Sequence, residues 1–405
     1  VISPARRAAY EVLLRVFEQD AYADRAFRSA AEGLDERERA FAQRLAYGSV
    51  QRVRTLDHAI ETLGRRPVRK LDPPVLAALR LGAYQLGFTD TAPHAAVNES
   101  VELVRRARLE RAVPFTNAVL RRLTDGLKPL LDELPDGPLK ESYPDWIHET
   151  FVRVLGEEGS LALMRAMNEP LETAVRLVRG EPPPGPEVAD VPGAYRVERV
   201  DEALVAEGRI WPQSRGSQLA GLCVGSRDGE SVLDVCAAPG GKTGQLRGEV
   251  TAVEIDPARA RGLRENLATM RRDNVNVVEA DGTALPPELD GFDRALVDAP
   301  CSGLGVLAQR PDLRWRATPL PELQLALLRS AAERVRLGGT ILYSVCTLNP
   351  DECEAVVDAS GLRVLPLGEE WPEFAHPSRP EFLLTLPHVH GTSGFFIARL
   401  VRSPG

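Results

Sequence analysis

The sequence predicts a multidomain fold: an all-α front, a small α+β segment, and an α/β domain built on a doubly wound, mostly parallel sheet. Three observations predict it. In the first third, apolar residues recur at helical spacing and no alternating strand pattern appears. In the last half, short apolar runs alternate with helical stretches, the pattern of a parallel sheet with crossover helices. The 405 residues are 43% hydrophobic and 27% charged, ordinary globular usage that excludes a disordered, collagen-like or low-complexity chain and gives length for two or three domains.

In chain order, Ala9, Val12, Leu13, Val16 and Phe17 mark the buried face of a first helix. Val97, Val101 and Val104 repeat that spacing, as do Val119, Leu120 and Leu123. Asp72-Pro73-Pro74 opens a further helix, since proline is tolerated in a first turn. Residues 1–126 are therefore expected to form one helical domain. Residues 127–143 hold three prolines among mixed polar residues and read as a linker. Residues 144–216 read as a small α+β subdomain: a helix from Asp145, then strand-like TAVRLVR and AYRVERV around a proline-rich loop. From 217 to 405 the expected strands are Ser231–Cys236, Val250–Ile255, Asn276–Glu279, Arg294–Val297 and Thr340–Val345, with helices over 257–270 and 319–336. Ligands of such sheets bind at the carboxyl ends of the strands.

Composition narrows the function classes. No apolar run approaches the ~18 residues of a membrane span, and the amino terminus enters an amphipathic pattern with no signal-peptide core. A cytoplasmic protein without membrane partners is expected. The five cysteines, at 223, 236, 301, 346 and 353, form no CxxC pair and no spaced Cys/His quartet, so neither a zinc site nor a disulfide framework is expected. Net charge is −8, unevenly spread. Residues 1–130 carry 22 basic and 16 acidic side chains, a net of +6, and the remainder carries −14. A basic front fits a polyanion partner and equally a solvated helical surface.

Five motifs fall at expected strand ends. Val232–Thr243 (VLDVCAAPGGKT) reads as a strand, a Gly-Gly turn and a helix. It is not a phosphate-binding P-loop, which needs glycine where Cys236 stands. Nor does it have the GxGxxG spacing. Glu254, in Val253-Glu-Ile-Asp-Pro257, is placed to bind the two hydroxyls of a ribose. Asp256, before Pro257, fits a helix cap. Asp281, in an Asp-Gly turn, is placed for an adenine amino group or for the turn itself. Val297–Gly305 (VDAPCSGLG) supplies Asp298 and Cys301, and Leu342–Thr347 (LYSVCT) supplies Cys346.

An acid, two thiols and an adenosine-type site fit one chemistry well. Carbon 5 of a pyrimidine is a poor nucleophile. A thiolate adding to C6 makes C5 enamine-like, an acid at N3 assists, and C5 can then take an activated methyl group. The base must lie outside its stack to be reached. The residues alone leave open which cysteine attacks.

The set resembles the RsmB (Sun, or Fmu) group of RNA cytosine-5 methyltransferases, a Rossmann-like class I fold using S-adenosylmethionine. The resemblance rests on DVCAAPGGKT (234–243), DAPCSGLG (298–305), RPDLRW (310–315), YSVCT (343–347) and GFFIARL (394–400). The front resembles the NusB-like RNA-binding helical domain attached to these enzymes, through ARRAAYEVLLRV (5–16), PHAAVNESVELVRR (93–106) and FTNAVLRRL (115–123). By that resemblance Cys346 is the nucleophile, Cys301 assists release, and Asp298 contacts the cytosine close to the cofactor. Cys236, Ala237, Ala238, Pro239, Gly240, Gly241 and Lys242 form the loop around the methionyl part, with Lys242 near enough to help position the base. Glu254 takes the ribose and Asp281 the adenine end. A fused NusB-like domain implies small-subunit (16S) ribosomal RNA as partner, free or in an early assembly particle, rather than DNA. Nothing demands a homo-oligomer, and a monomer is expected. Four positions depart from the family pattern: Val345 for threonine, Cys353 for asparagine, Ser393 for aspartate and Ser214 for aspartate.

Overall fold

A computed structural model describes residues 2–403. The chain divides into two compact units. The first comprises residues up to Glu149, with Glu157–Asn168 and Leu307–Arg316; the second holds Thr150–Gly156, Glu169–Val306 and Ala317 onward.

The first unit is helical. Helix Pro4–Glu18 starts at Ser3, whose side chain accepts from the Arg6 N–H, and buries Ala5, Ala9, Val12, Leu13 and Val16. Phe17 is only partly buried, with the Arg80 guanidinium 4.6 Å over its ring. Helices Pro73–Phe88, Pro93–Arg106 and Val113–Glu133 complete the same core, with Val97, Val101, Val104, Val119, Leu120 and Leu123 inside.

Most of the expected linker at 127–143 is helical. Helix Val113–Glu133 continues through Pro129, and Pro138–Glu141 adds a turn. Pro129 removes one backbone hydrogen bond, but Leu127 is buried against Gly87, where an added Cβ would stand 2.8 Å from its Cδ2. Tertiary packing outweighs the local breaker.

The segment Arg310–Trp315, expected within the methyltransferase domain, belongs to the helical unit. Arg314 is 1% exposed. Its guanidinium lies 3.9 Å over the Tyr143 ring and donates to the carbonyls of Gln51, Ser142 and Met167. Trp315 donates its indole N–H to Val50 O at 2.7 Å. Most of helix Asp145–Ala166, broken at Gly156 (φ +71°), also lies in this unit. The small α+β subdomain expected at 144–216 is thus divided between the two units.

The second unit carries two sheets. Strands β1 (Thr173–Leu177), β2 (Ala194–Val197) and β3 (Ile210–Pro212) form a small antiparallel sheet in the order β2-β1-β3. The main sheet contains β4 (Ser231–Val235), β5 (Glu249–Glu254), β6 (Val275–Glu279), β7 (Phe292–Asp298) and β8 (Val335–Val345), all parallel. An antiparallel edge of β9 (Arg363–Leu365), β10 (Leu383–Thr385) and β11 (Phe395–Val401) was not expected from the sequence. The order β10-β11-β8-β7-β4-β5-β6 puts β4 where the winding reverses, the topological switch point at which such sheets bind ligands. Among the described residues no helix is long and apolar enough to cross a membrane.

Candidate active site

Parallel register brings the ends of β4, β5, β6, β7 and β8 to one edge, and all five motifs follow those ends. The loop after β4 turns at Cys236, whose φ is +64°, a conformation that residues with a Cβ rarely adopt. The helix expected after this loop is absent: only a 3₁₀ turn, Thr243–Gln245, precedes β5. Three residues separate Gln245 from Glu249, too few for an α-helix.

The loop is instead held from outside. Ala237 N donates to Val253 O (3.0 Å), Arg259 to Ala238 O (2.9 Å), Asn266 to Pro239 O (2.8 Å) and Arg176 to Gly241 O (3.3 Å). Beneath it Thr243 Oγ1 donates to Asp234 Oδ2 at 2.6 Å. Full burial raises the Asp234 carboxyl to about 7.

Two cavities open on the loop. One, of about 330 Å³, is lined by Cys236, Ala238, Glu254, Ile255, Asp281, Asp298, Pro300 and Leu323, among others. Glu254 is 2% exposed; its Oε1 accepts from Asp256 N, while its buried Oε2 takes no hydrogen bond and lies 3.4 Å from Arg259. Asp256 caps helix Pro257–Thr269, accepting from Ala258 and Arg259 N–H. Of the two acids, only Glu254 has an oxygen to offer a ligand in this cavity. Asp281 lines the same cavity, and Oδ1 accepts from Thr283 N (2.8 Å) and Oγ1 (2.7 Å); these bonds hold its carboxyl below the usual range.

The second cavity, about 270 Å³, is lined by Trp211, Gln213, Ala237, Pro239, Gly241, Lys242, Val306, Cys346 and Phe395, among others. It shares Cys236, Ala238 and Asp298 with the first. Of the expected loop residues Gly240 lines neither cavity. Its φ is +101°, and an added Cβ would stand 2.6 Å from Leu263 Cδ1, so it turns the loop over the neighbouring helix.

Asp298 sits at the junction. Its Oδ2 accepts from Lys242 Nζ at 2.7 Å and its Oδ1 from Ser344 Oγ at 2.8 Å. The Lys242 ammonium also lies 4.7 Å over the Phe395 ring, an attractive cation–π placement. Cys301 is on neither wall, but its Sγ is 3.4 Å from Cys346 Sγ.

The thiols are not equivalent. Burial raises Cys223 and Cys236 to about 12, and Cys353 well above the usual thiol range. Cys301 is raised by its hydrogen bond to Cys346 and by burial. Cys346 alone is lowered, chiefly by accepting that hydrogen bond and further by Lys242, against burial and Asp298. A site with one activated thiol, a proton-bearing second thiol and a fixed acid–ammonium pair can carry out covalent chemistry on a flat polar ring.

Sequence reading missed several contributors. Trp211 lies on a three-residue strand without alternation. Ser344 sits within β8 and is recognisable only once β7 pairs beside it. Glu352, whose carboxylate accepts from the Ser302 N–H and the Thr347 hydroxyl just after the two cysteines, meets them only in the fold.

The chain is similar to known proteins along nearly its whole length. Residues 222–401 match the family model of 16S rRNA methyltransferase RsmB/F, and residues 3–125 match the NusB family. The chain is 34% identical to "Probable ribosomal RNA small subunit methyltransferase B" of Synechocystis, covering 98% of this chain and 99% of that protein. It is 34% identical to ribosomal RNA small subunit methyltransferase B of Thermus thermophilus, over 94% and 92%. The crystal structure of PH0851 shares the fold, with TM-score 0.81, 23% identity and 99% coverage of both chains.

Proposed function

The chain belongs to the RsmB/F family of 16S rRNA methyltransferases, with a NusB-family domain in front, and on that premise we propose that it methylates carbon 5 of a cytosine in small-subunit ribosomal RNA through a covalent bond to Cys346. The observation that carries this reading is geometric: Cys346 lines a cavity beside the Asp298–Lys242 pair, with the second thiol, Cys301, 3.4 Å from its sulfur.

S-adenosylmethionine is the methyl donor of this family, and the residues fit it. The unbonded Glu254 Oε2 suits a ribose diol, and Ile255, Pro300 and Leu323 give apolar walls for an adenine. When bound, it supplies the activated methyl group that carbon 5 takes up. The two cavities meet at Cys236, Ala238 and Asp298, so that donor and base come together there.

The chain's own groups do the rest. Trp211 and Phe395 give the second cavity an aromatic lining suited to a base. Asp298, fixed by Lys242 and Ser344, meets its polar edge. The Cys346 thiolate adds to C6, and electron density moves to C5. After C5 is methylated and loses its proton to a base, the C6–S bond breaks and the thiolate leaves, with Cys301 assisting. The front domain's net +6 suits phosphate contacts that position RNA without reading its sequence.

The test is transfer of a labelled methyl group from S-adenosylmethionine into small-subunit rRNA lacking its natural modifications, followed by digestion to nucleosides. Label in 5-methylcytidine is expected, and none with Cys346→Ala. Label only in tRNA or large-subunit RNA would overturn the target. Normal activity of Cys346→Ala would overturn the mechanism.

A further inference from the structure

Glu352 lies six residues after Cys346 and is 0% exposed. Its carboxylate accepts hydrogen bonds from both thiol-bearing loops. From the Cys301 loop come the Ser302 N–H, at 2.9 Å to Oε1, and the Ser302 hydroxyl, to Oε2. From the Cys346 loop comes the Thr347 hydroxyl, at 3.4 Å to Oε2, itself 2.7 Å from Ser302 Oγ. Gln324 Nε2 donates to Oε1 at 2.9 Å and also to Pro300 O, just before Cys301. Tyr343 of β8 donates to the Glu352 carbonyl at 2.6 Å. Ser302 and Thr347 are the residues immediately after the two cysteines.

We propose that Glu352 is a positioning residue: by bonding to the residue after each thiol, it holds Cys301 and Cys346 at the separation that turnover requires. The two loops leave different strands and also meet directly, Gly305 N–H donating to Cys346 O at 3.0 Å, but Glu352 is the buried side chain that bonds to the residue after each cysteine. Buried hydrogen-bonded networks hold their members in place; here every group that faces Glu352 is bonded to it, while the far Gln324 Oε1 has no partner. Removing the central acceptor leaves several buried donors without a partner. The proposal rests on the covalent reading of the site, but the separation it concerns can be measured without any methylation.

The experiment uses the full chain and a bifunctional thiol reagent that fluoresces only when both arms have reacted, with the bridged peptides located by mass spectrometry. The wild type is expected to bridge Cys301 to Cys346. Glu352→Ala is expected to bridge at least tenfold more slowly and to lose about 100-fold in kcat, the size of effect that a displacement near 1 Å produces. Cofactor affinity and KM for RNA should stay within about twofold, since Glu352 lines neither cavity. Glu352→Gln should recover part of both losses, because the Ser302 and Thr347 hydroxyls can turn to accept. Should Glu352→Ala fail to fold, Ser302→Ala removes one donor and should show the same two effects more weakly. A folded Glu352→Ala that bridges and turns over like the wild type would overturn the proposal. So would lost bridging with unchanged kcat. If instead Cys346→Ala kept activity, the covalent reading would fall while the bridging result stood.

Discussion

The sulfur atoms of Cys301 and Cys346 are 3.4 Å apart, although they sit on loops leaving different strands and are 45 residues apart in sequence. Either sulfur could donate in this contact by geometry alone, but Lys242 lies near Cys346, so the hydrogen bond shifts the thiol of Cys301 up and that of Cys346 down. In a site that must form and then break a sulfur–carbon bond, that division gives the attacking and assisting groups different protonation states at one pH.

Removing the Cys301 thiol should act on both halves of the cycle. Cys301→Ala takes away the hydrogen bond that contributes most to lowering Cys346, so iodoacetamide should label Cys346 with a pH midpoint higher than in the wild type. With RNA and cofactor present, the same variant should accumulate a protein–RNA adduct stable to denaturing electrophoresis, absent with Cys346→Ala. An unchanged midpoint would show that the sulfur contact does not set the Cys346 thiol.

Glu254 and Asp256 should separate cleanly. Glu254→Ala removes the buried oxygen facing the cofactor cavity and should weaken S-adenosylmethionine binding by about 10- to 100-fold, the worth of one charge-assisted hydrogen bond. Asp256→Ala removes a helix cap and should cost about 1 kcal/mol of stability with cofactor affinity little changed. Calorimetric titration and thermal melts distinguish the two, and equal loss of affinity in both would remove the ribose role from Glu254.

Much of this site was legible because each motif sits where an apolar run ends, and parallel pairing carries those ends to one edge. The expected strand Ser231–Cys236 and the observed Ser231–Val235 differ by one residue. The cap at Asp256 was also readable, since a short polar residue before proline has few other uses. What stayed hidden depends on partners distant in sequence. The three residues of Ile210–Pro212 become a strand only by pairing with Val175–Leu177. Nothing in Arg310–Trp315 signals that it leaves the 217–405 domain until Arg314 is seen among the carbonyls of the helical unit. The strand and Gly-Gly turn suggested a following helix, but the chain returns to β5 too soon.

Gly305 should be intolerant of any side chain. Its N–H donates to Cys346 O at 3.0 Å, and its carbonyl accepts from Gly394 N at 2.8 Å. An added Cβ would stand 2.1 Å from Gly394 O and 2.6 Å from Gly394 C, backbone atoms that cannot swing aside. Gly305→Ala must therefore displace the Cys346 loop or strand β11, and kcat should fall by about 100-fold. Cofactor binding, measured separately, should persist, because Gly305 lines neither cavity. Wild-type turnover in this variant would mean that the loop has slack the packing does not show.

Asp234 should give the protein an unusual pH dependence. Its carboxyl is raised to about 7 by burial, against an ordinary value of 3.8, and its Oδ1 has no hydrogen-bond partner. Between those values the folded state holds a proton that the unfolded state has released. Stability from this group is complete below about pH 4 and is lost as pH rises through about 7, amounting to about 4 kcal/mol by pH 8. Asp234→Asn keeps an acceptor for Thr243 and carries no charge to bury. The variant should therefore melt at a higher temperature than the wild type at pH 8, and the gap should close on acidification towards pH 5. Melting curves across that range decide the matter: a gap that stayed constant with pH would show that Asp234 is not held protonated by the fold.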